Sequence, residues 1–280
     1  VGGTLTRALT LTNTTAADGF SESLNASLAA VGAATAGGSF NLLEAGASSN
    51  ALFVGVDTGS AGNKSGTVTI ALTSDGAGTS GFGALGIGSQ QVTVSGKVYA
   101  PAIAQLNTTL VDFGIVHVGD SVANRAVSVS NTAAQAGLND VLRGSISIAG
   151  ASPFAVSGTM GSGVIAGGTD ATSLQVGLNT SSAGIFSGNA SVVLASHNAD
   201  MEDLDLGSQS VALMGQVNNF AQAAFAKTGG QGSFSGSGAS YTLDFGTLVV
   251  GAAGLSTELA VFNTATGVAD ALRGSFEFGS

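Results

Sequence analysis

The chain has 280 residues, 44% hydrophobic and 9% charged, and its aliphatic residues and 14 Phe supply a packed core, which excludes a disordered chain. Seven Lys+Arg against 17 Asp+Glu give a net charge of −10, which excludes a nucleic-acid binder's basic footprint and disfavours anionic membrane surfaces. There is no Cys, hence no disulfide, thiolate metal site or Cys nucleophile, and no apolar run approaches the ~18 residues of a membrane-spanning helix.

The first predicted element surrounds Leu9 and Leu11. They alternate with Thr10, a period of two that predicts a half-buried strand. Asn13-Thr14 then predicts a turn, because Asn hydrogen-bonds nearby backbone and tolerates a left-handed conformation. "FSESLNASL" (20–28) spaces apolar residues four apart, which predicts one helical turn or a wide arch in a chain otherwise patterned for strands. "GFGALG" (81–86) matches G-x-G-x-x-G. More strand pattern follows it where a dinucleotide fold would open a helix, so it is expected to be a loop between strands.

The same phrases then return. Val1-Gly2, Val118-Gly119 and Val250-Gly251 each lead to an Asn-Thr pair, Asn13-Thr14, Asn131-Thr132 and Asn263-Thr264. Val127 and Val129 stand where Leu9 and Leu11 stood, and Leu259 and Val261 stand there a third time. "LNDVLRGSI" (138–146) and "VADALRGSF" (268–276) repeat the arch phrase, and "LQVGLNTSSAGIFSG" (174–188) repeats "LFVGVDTGSAGNKSG" (52–66). Spacings of this size mark repeated domains rather than a solenoid. With about seven strands per copy, the expected fold is all-β, a tandem of immunoglobulin-like antiparallel β-sandwich domains. Residues 1–101 form a first sandwich lacking its leading strand and 102–219 a complete second. Residues 220–280 supply a linker and the opening strands of a truncated third, with the Gly/Ser-rich 227–240 as a flexible stretch. The chain reads as a piece of a longer array.

Candidate chemistry is sparse. Asp200, Glu202, Asp203 and Asp205 cluster in "DMEDLDLG" (200–207), a candidate calcium loop because hard cations take carboxylate oxygens; its plainer reading is a solvated acidic loop. His117 and His197 have no patterned Ser and acid beside them, and no G-x-S-x-G occurs, so no catalytic residue is assigned and no cofactor is expected. Arg143 and Arg273 each follow an acid by three residues, Asp140 and Asp270, which predicts a local ion pair bracing the arch.

The phrase "VDFGIVHVG…RAVSVSNT", repeated as "LDFGTLVVG…ELAVFNT", resembles the opening of the ASPM-SPD2-Hydin class of β-sandwich domains. Together with "DGFSESLNAS" and "SDGAGTSGFGALGIGSQQVTVSGKVYAPA", it is similar to bacterial choice-of-anchor D repeats across most of the chain. The resemblance implies an extracellular or cell-surface, non-catalytic array of a large exported protein. Outward strand positions rich in Thr, Ser and Ala permit close approach of another subunit without desolvating ions. The expected function is self-association into a filament, sheath or surface layer; the alternative is an adhesin stalk or passenger that binds a glycan or host surface.

Overall fold

The computed structural model describes residues 2–277; Val1, which opens the first Val-Gly pair, lies outside the described residues. Among the described residues there are strands and no helix. The first group is β1 (Thr6–Thr12), β2 (Ser23–Gly32), β3 (Ala34–Gly37), β4 (Phe40–Leu43), β5 (Ser48–Val56), β6 (Gly62–Asp75) and β7 (Leu85–Val98). The second is β8 (Ala104–Leu106), β9 (Leu110–His117), β10 (Arg125–Asn131), β11 (Val141–Ile148), β12 (Phe154–Ser157), β13 (Thr169–Leu178), β14 (Gly184–His197) and β15 (Leu204–Asn218). The third is β16 (Ala223–Gly230), β17 (Ser233–Ser237), β18 (Ser240–Asp244) and β19 (Thr257–Asn263).

Strand pairing stays within these groups. The first forms sheets β1-β5-β3 and β4-β2-β6-β7, the second β12-β13-β10-β8 and β11-β14-β15-β9, and the third β16-β19 and β17-β18. In the second group Val127, Val129, Leu174 and Val176 of one sheet meet Leu142, Val192, Leu194, Val211 and Leu213 of the other in one apolar layer. Leu9 and Leu11 pack likewise against the first core, around Leu52 and Ile70. The period of two therefore places the right side chains inward. The ladders themselves are irregular at this point: register shifts fall between Leu9 and Leu11 opposite β5, and between Val127 and Val129 opposite β13. The extra residues lie in the partner strand, so both core side chains keep their inward direction.

Three local expectations are corrected. Of the two readings of the arch phrase the helical turn is absent: residues 137 and 138 bend, Asn139 makes an isolated bridge and β11 starts at Val141. Residues four apart share a face in a strand as well as in a helix, so the spacing does not discriminate. The sheets are not wholly antiparallel, since β9 runs parallel to β15. The chain changes sheets between β8, which pairs with β10, and β9, which arrives beside β15 in the same direction. Finally, the Gly/Ser stretch forms much of β16 and the β17–β18 hairpin, closed by Phe234 stacked on Tyr241 at 5.3 Å.

The repeated asparagine does more than turn the chain. Asn131 is fully buried. Its Oδ1 accepts from the amides of Ile103 (3.1 Å) and Ala133 (3.2 Å), and its Nδ2 donates to the carbonyls of Val164 (3.0 Å) and Asp140 (3.4 Å). Asn13 donates to the carbonyls of Glu22 (3.1 Å) and Leu43 (3.0 Å), and Asn263 to that of Asp270 (2.8 Å). In each copy the side chain ties the end of one strand to the arch that follows.

Candidate functional site

The acidic loop is the turn between β14 and β15, and its carboxylates diverge. Asp200 Oδ2 accepts from Lys97 Nζ at 2.7 Å and from the Tyr99 hydroxyl at 2.5 Å, across to the first group. Asp203 Oδ1 lies 2.5 Å from His197 Nδ1, and Asp205 Oδ1 accepts from the Gly207 amide at 2.7 Å. Among the described residues no group of three or more His, Cys, Asp or Glu is placed to hold a metal ion. Asp200, Glu202, Asp203 and Asp205 are thus not brought together as a calcium site. A tight hairpin turn points successive side chains in different directions, and Asp200 is spent on Lys97 and Tyr99.

That contact has a titration signature. Hydrogen bonds from Lys97 and then Tyr99 hold the Asp200 carboxyl below the usual carboxylate range. The same carboxylate, as hydrogen-bond partner, pushes the Tyr99 phenol and the Lys97 ammonium up. Asp200→Asn removes the charge, so the Tyr99 phenol is expected to ionise at a lower pH than in the wild type. Tyr241 is the chain's other tyrosine, so phenolate absorbance resolves the shift; an unmoved titration would mean that the contact does not hold in solution.

The arch ion pair is also not formed. Asp140 is buried and accepts from Ser196 Oγ at 2.7 Å and Asn198 Nδ2 at 2.8 Å, while the Ala102 amide donates to Ser196 Oγ at 2.8 Å. Arg143 Nε has no partner. Strand side chains alternate, so residues three apart leave on opposite faces; the spacing of acid and Arg suits a helical turn that is not there. Glu22 takes the place of Asp140 in the first group and also accepts from a serine, Ser74 Oγ at 2.6 Å. Asp270 takes it in the third and accepts from Asn218 Nδ2 at 2.9 Å, with His117 Nε2 2.6 Å away.

Asp140 and Asp270 mark the joints between groups. The Ala100 amide donates to the Leu138 carbonyl and the Asp140 amide to the Ala100 carbonyl, both at 2.9 Å. Asn219 repeats this with Val268 (2.8 Å) and Asp270 (3.0 Å). Each connecting segment is clipped by its main chain, in parallel sense, to the next arch. The sequence signals the arch and its acid by repetition but not their role as a docking point, because Ala100 and Asn219 share no side-chain chemistry.

The remaining motif residues are plain. Gly81–Ala84 of "GFGALG" are loop and Leu85 opens β7, as expected, with no helix following. His197 is the last residue of β14. Comparison with known proteins finds no family model that matches the chain and no curated protein that is similar to it.

Proposed function

We propose that this chain is a non-catalytic structural array, tandem immunoglobulin-like sandwiches that self-associate into a filament, sheath or surface layer outside the cell. The observation that carries the reading is the outer face of β14, β15 and β9. Two cross-strand rows, Ile185–Gln216–Ile115 and Ser187–Met214–Asp112, lie there. Ile185 is 75% exposed, Ile115 67% and Met214 48%, and Asp112 is the one charge in the two rows. Apolar side chains grouped on a flat, nearly uncharged sheet face are what one subunit offers another. The resemblance to exported bacterial choice-of-anchor D repeats supports the location and the absence of chemistry.

Negative-stain microscopy of the purified chain tests this. Ordered polymers are expected at micromolar concentration, and Ile185→Lys with Met214→Lys is expected to abolish them while leaving the fold intact by circular dichroism. A chain that stays monomeric yet binds a glycan array would instead be the adhesin stalk.

A further inference from the structure

The second joint differs from the first in that a histidine closes it. His117, the last residue of β9, lies between two carboxylates. Its Nε2 is 2.6 Å from Asp270 Oδ2 on the arch of the third group, and its Nδ1 is 3.6 Å from Asp120 Oδ2 in its own turn. Asp120 Oδ2 also accepts from the His117 amide at 2.8 Å. The ring stacks on Phe220 of the connecting segment, with centroids 4.3 Å apart and planes 10° apart. Asn218 orients the far oxygen of Asp270. The groups facing the imidazole are therefore two acids, Asp120 and Asp270, and one aromatic ring. At the first joint the polar contact is Lys97 and Tyr99 on Asp200, side-chain types that do not change charge near neutral pH.

A neutral imidazole has one N–H and serves one carboxylate. An imidazolium has two, and carries the charge that both carboxylates attract. We propose that His117 makes the joint between residues 104–218 and 223–277 a pH-sensitive latch, closed while the imidazole is protonated and loosened as it loses its proton. The acid limit is set by Asp270, whose carboxyl Asn218 first and then His117 hold below the usual carboxylate range. That contribution is present above the ordinary carboxylate range and is lost as pH falls through the lowered value. The latch is tightest at weakly acidic pH and loosens on either side. Because the pair is partly exposed, the expected change in the closed-to-open ratio is modest, about threefold.

The chain has no Cys, so Ser182→Cys and Ala239→Cys, both at exposed positions, give one spin-label pair across the joint. Between about pH 5.5 and about pH 8.5 the closed-distance component is expected to fall relative to the open one by roughly threefold. His117→Gln, which keeps a neutral donor, is expected to give one distribution at both values. A wild-type distribution that does not change, or a His117→Gln response equal to the wild type's, overturns the latch. Proton NMR of the unlabelled chain is a second measure, because His197 is the other histidine. Cross-relaxation between the His117 ring and Asp270 is expected to weaken from about pH 5.5 to about pH 8.5, and an unchanged contact also overturns the proposal. The latch rests on reading the groups as units of one array, and it gives that array a condition-dependent bend. Both measurements use single chains at dilutions below assembly, so failure of the latch and failure of polymer formation are separate results.

Discussion

Asn131→Ala is expected to destabilise the second group by about 3 kcal/mol, read as a lower urea midpoint for its unfolding transition. The size follows from what is stranded. The amide of Ala133 and the carbonyl of Asp140 lose a buried partner, the Val164 carbonyl is left with the Leu142 amide alone, and the part-buried Ile103 amide loses its acceptor. Each unsatisfied buried group costs about 1–3 kcal/mol, and relaxation around the smaller side chain recovers part of the total. Asn131→Asp should be similarly damaging, since it removes both donors and buries a charge. Asn13→Ala should cost less, because the corresponding site is only part-buried and its side-chain oxygen serves Thr15 alone. If the transition of Asn131→Ala lies within about 0.5 kcal/mol of the wild type, the asparagine is a turn residue and no clamp.

Gly158→Ala should cost at least about 3 kcal/mol, for two separable reasons. The backbone there has φ of +106°, and a Cβ would meet the Ser173 carbonyl oxygen at 1.8 Å and the Ser173 carbon at 2.9 Å. The opposing atoms are main chain in β13, so no rotamer change relieves the contact. Gly150 isolates the first reason: its φ is +74° with nothing within 4 Å of a Cβ, so Gly150→Ala should cost only about 1–2 kcal/mol. Gly38 holds the same place in the first group, where a Cβ would lie 1.9 Å from the Ala51 carbonyl oxygen and φ is +85°. Gly38→Ala should therefore unfold the first group with a comparable penalty. Equal effects at Gly150 and Gly158 in thermal or urea unfolding would remove the close-approach explanation.

These two positions show where local reading succeeds and where it stops. Alternation about Thr10 and Ser128 announces which residues enter the core, because strand period is a property of a short segment. The recurrence of Asn13, Asn131 and Asn263 is visible, yet their partners at Glu22, Asp140 and Asp270 are reached only after the sheets close. Gly158 is one of 44 glycines, and only the approach of β13 singles it out. The Arg143–Asp140 pairing fails because a spacing of three suits a helical neighbourhood, whereas along a strand it sends the two side chains to opposite faces. The acidic run at 200–205 and the contact of Asp200 with Lys97 and Tyr99 are a hundred residues apart in the chain, beyond what composition or periodicity can connect. Gly-rich 227–240 looks slack by composition, whereas Phe225, Phe234 and Tyr241 gather into one aromatic cluster and hold it in strands.

The main-chain clips at Ala100 and Asn219 have a mechanical meaning. A tether that is hydrogen-bonded on both sides to the following arch stores no slack. Tension drawn along such a chain is expected to pass directly from one ladder to the next, so the first thing to yield is a row of backbone bonds rather than a coil of loose links, as in a jointed rod and not a string of beads.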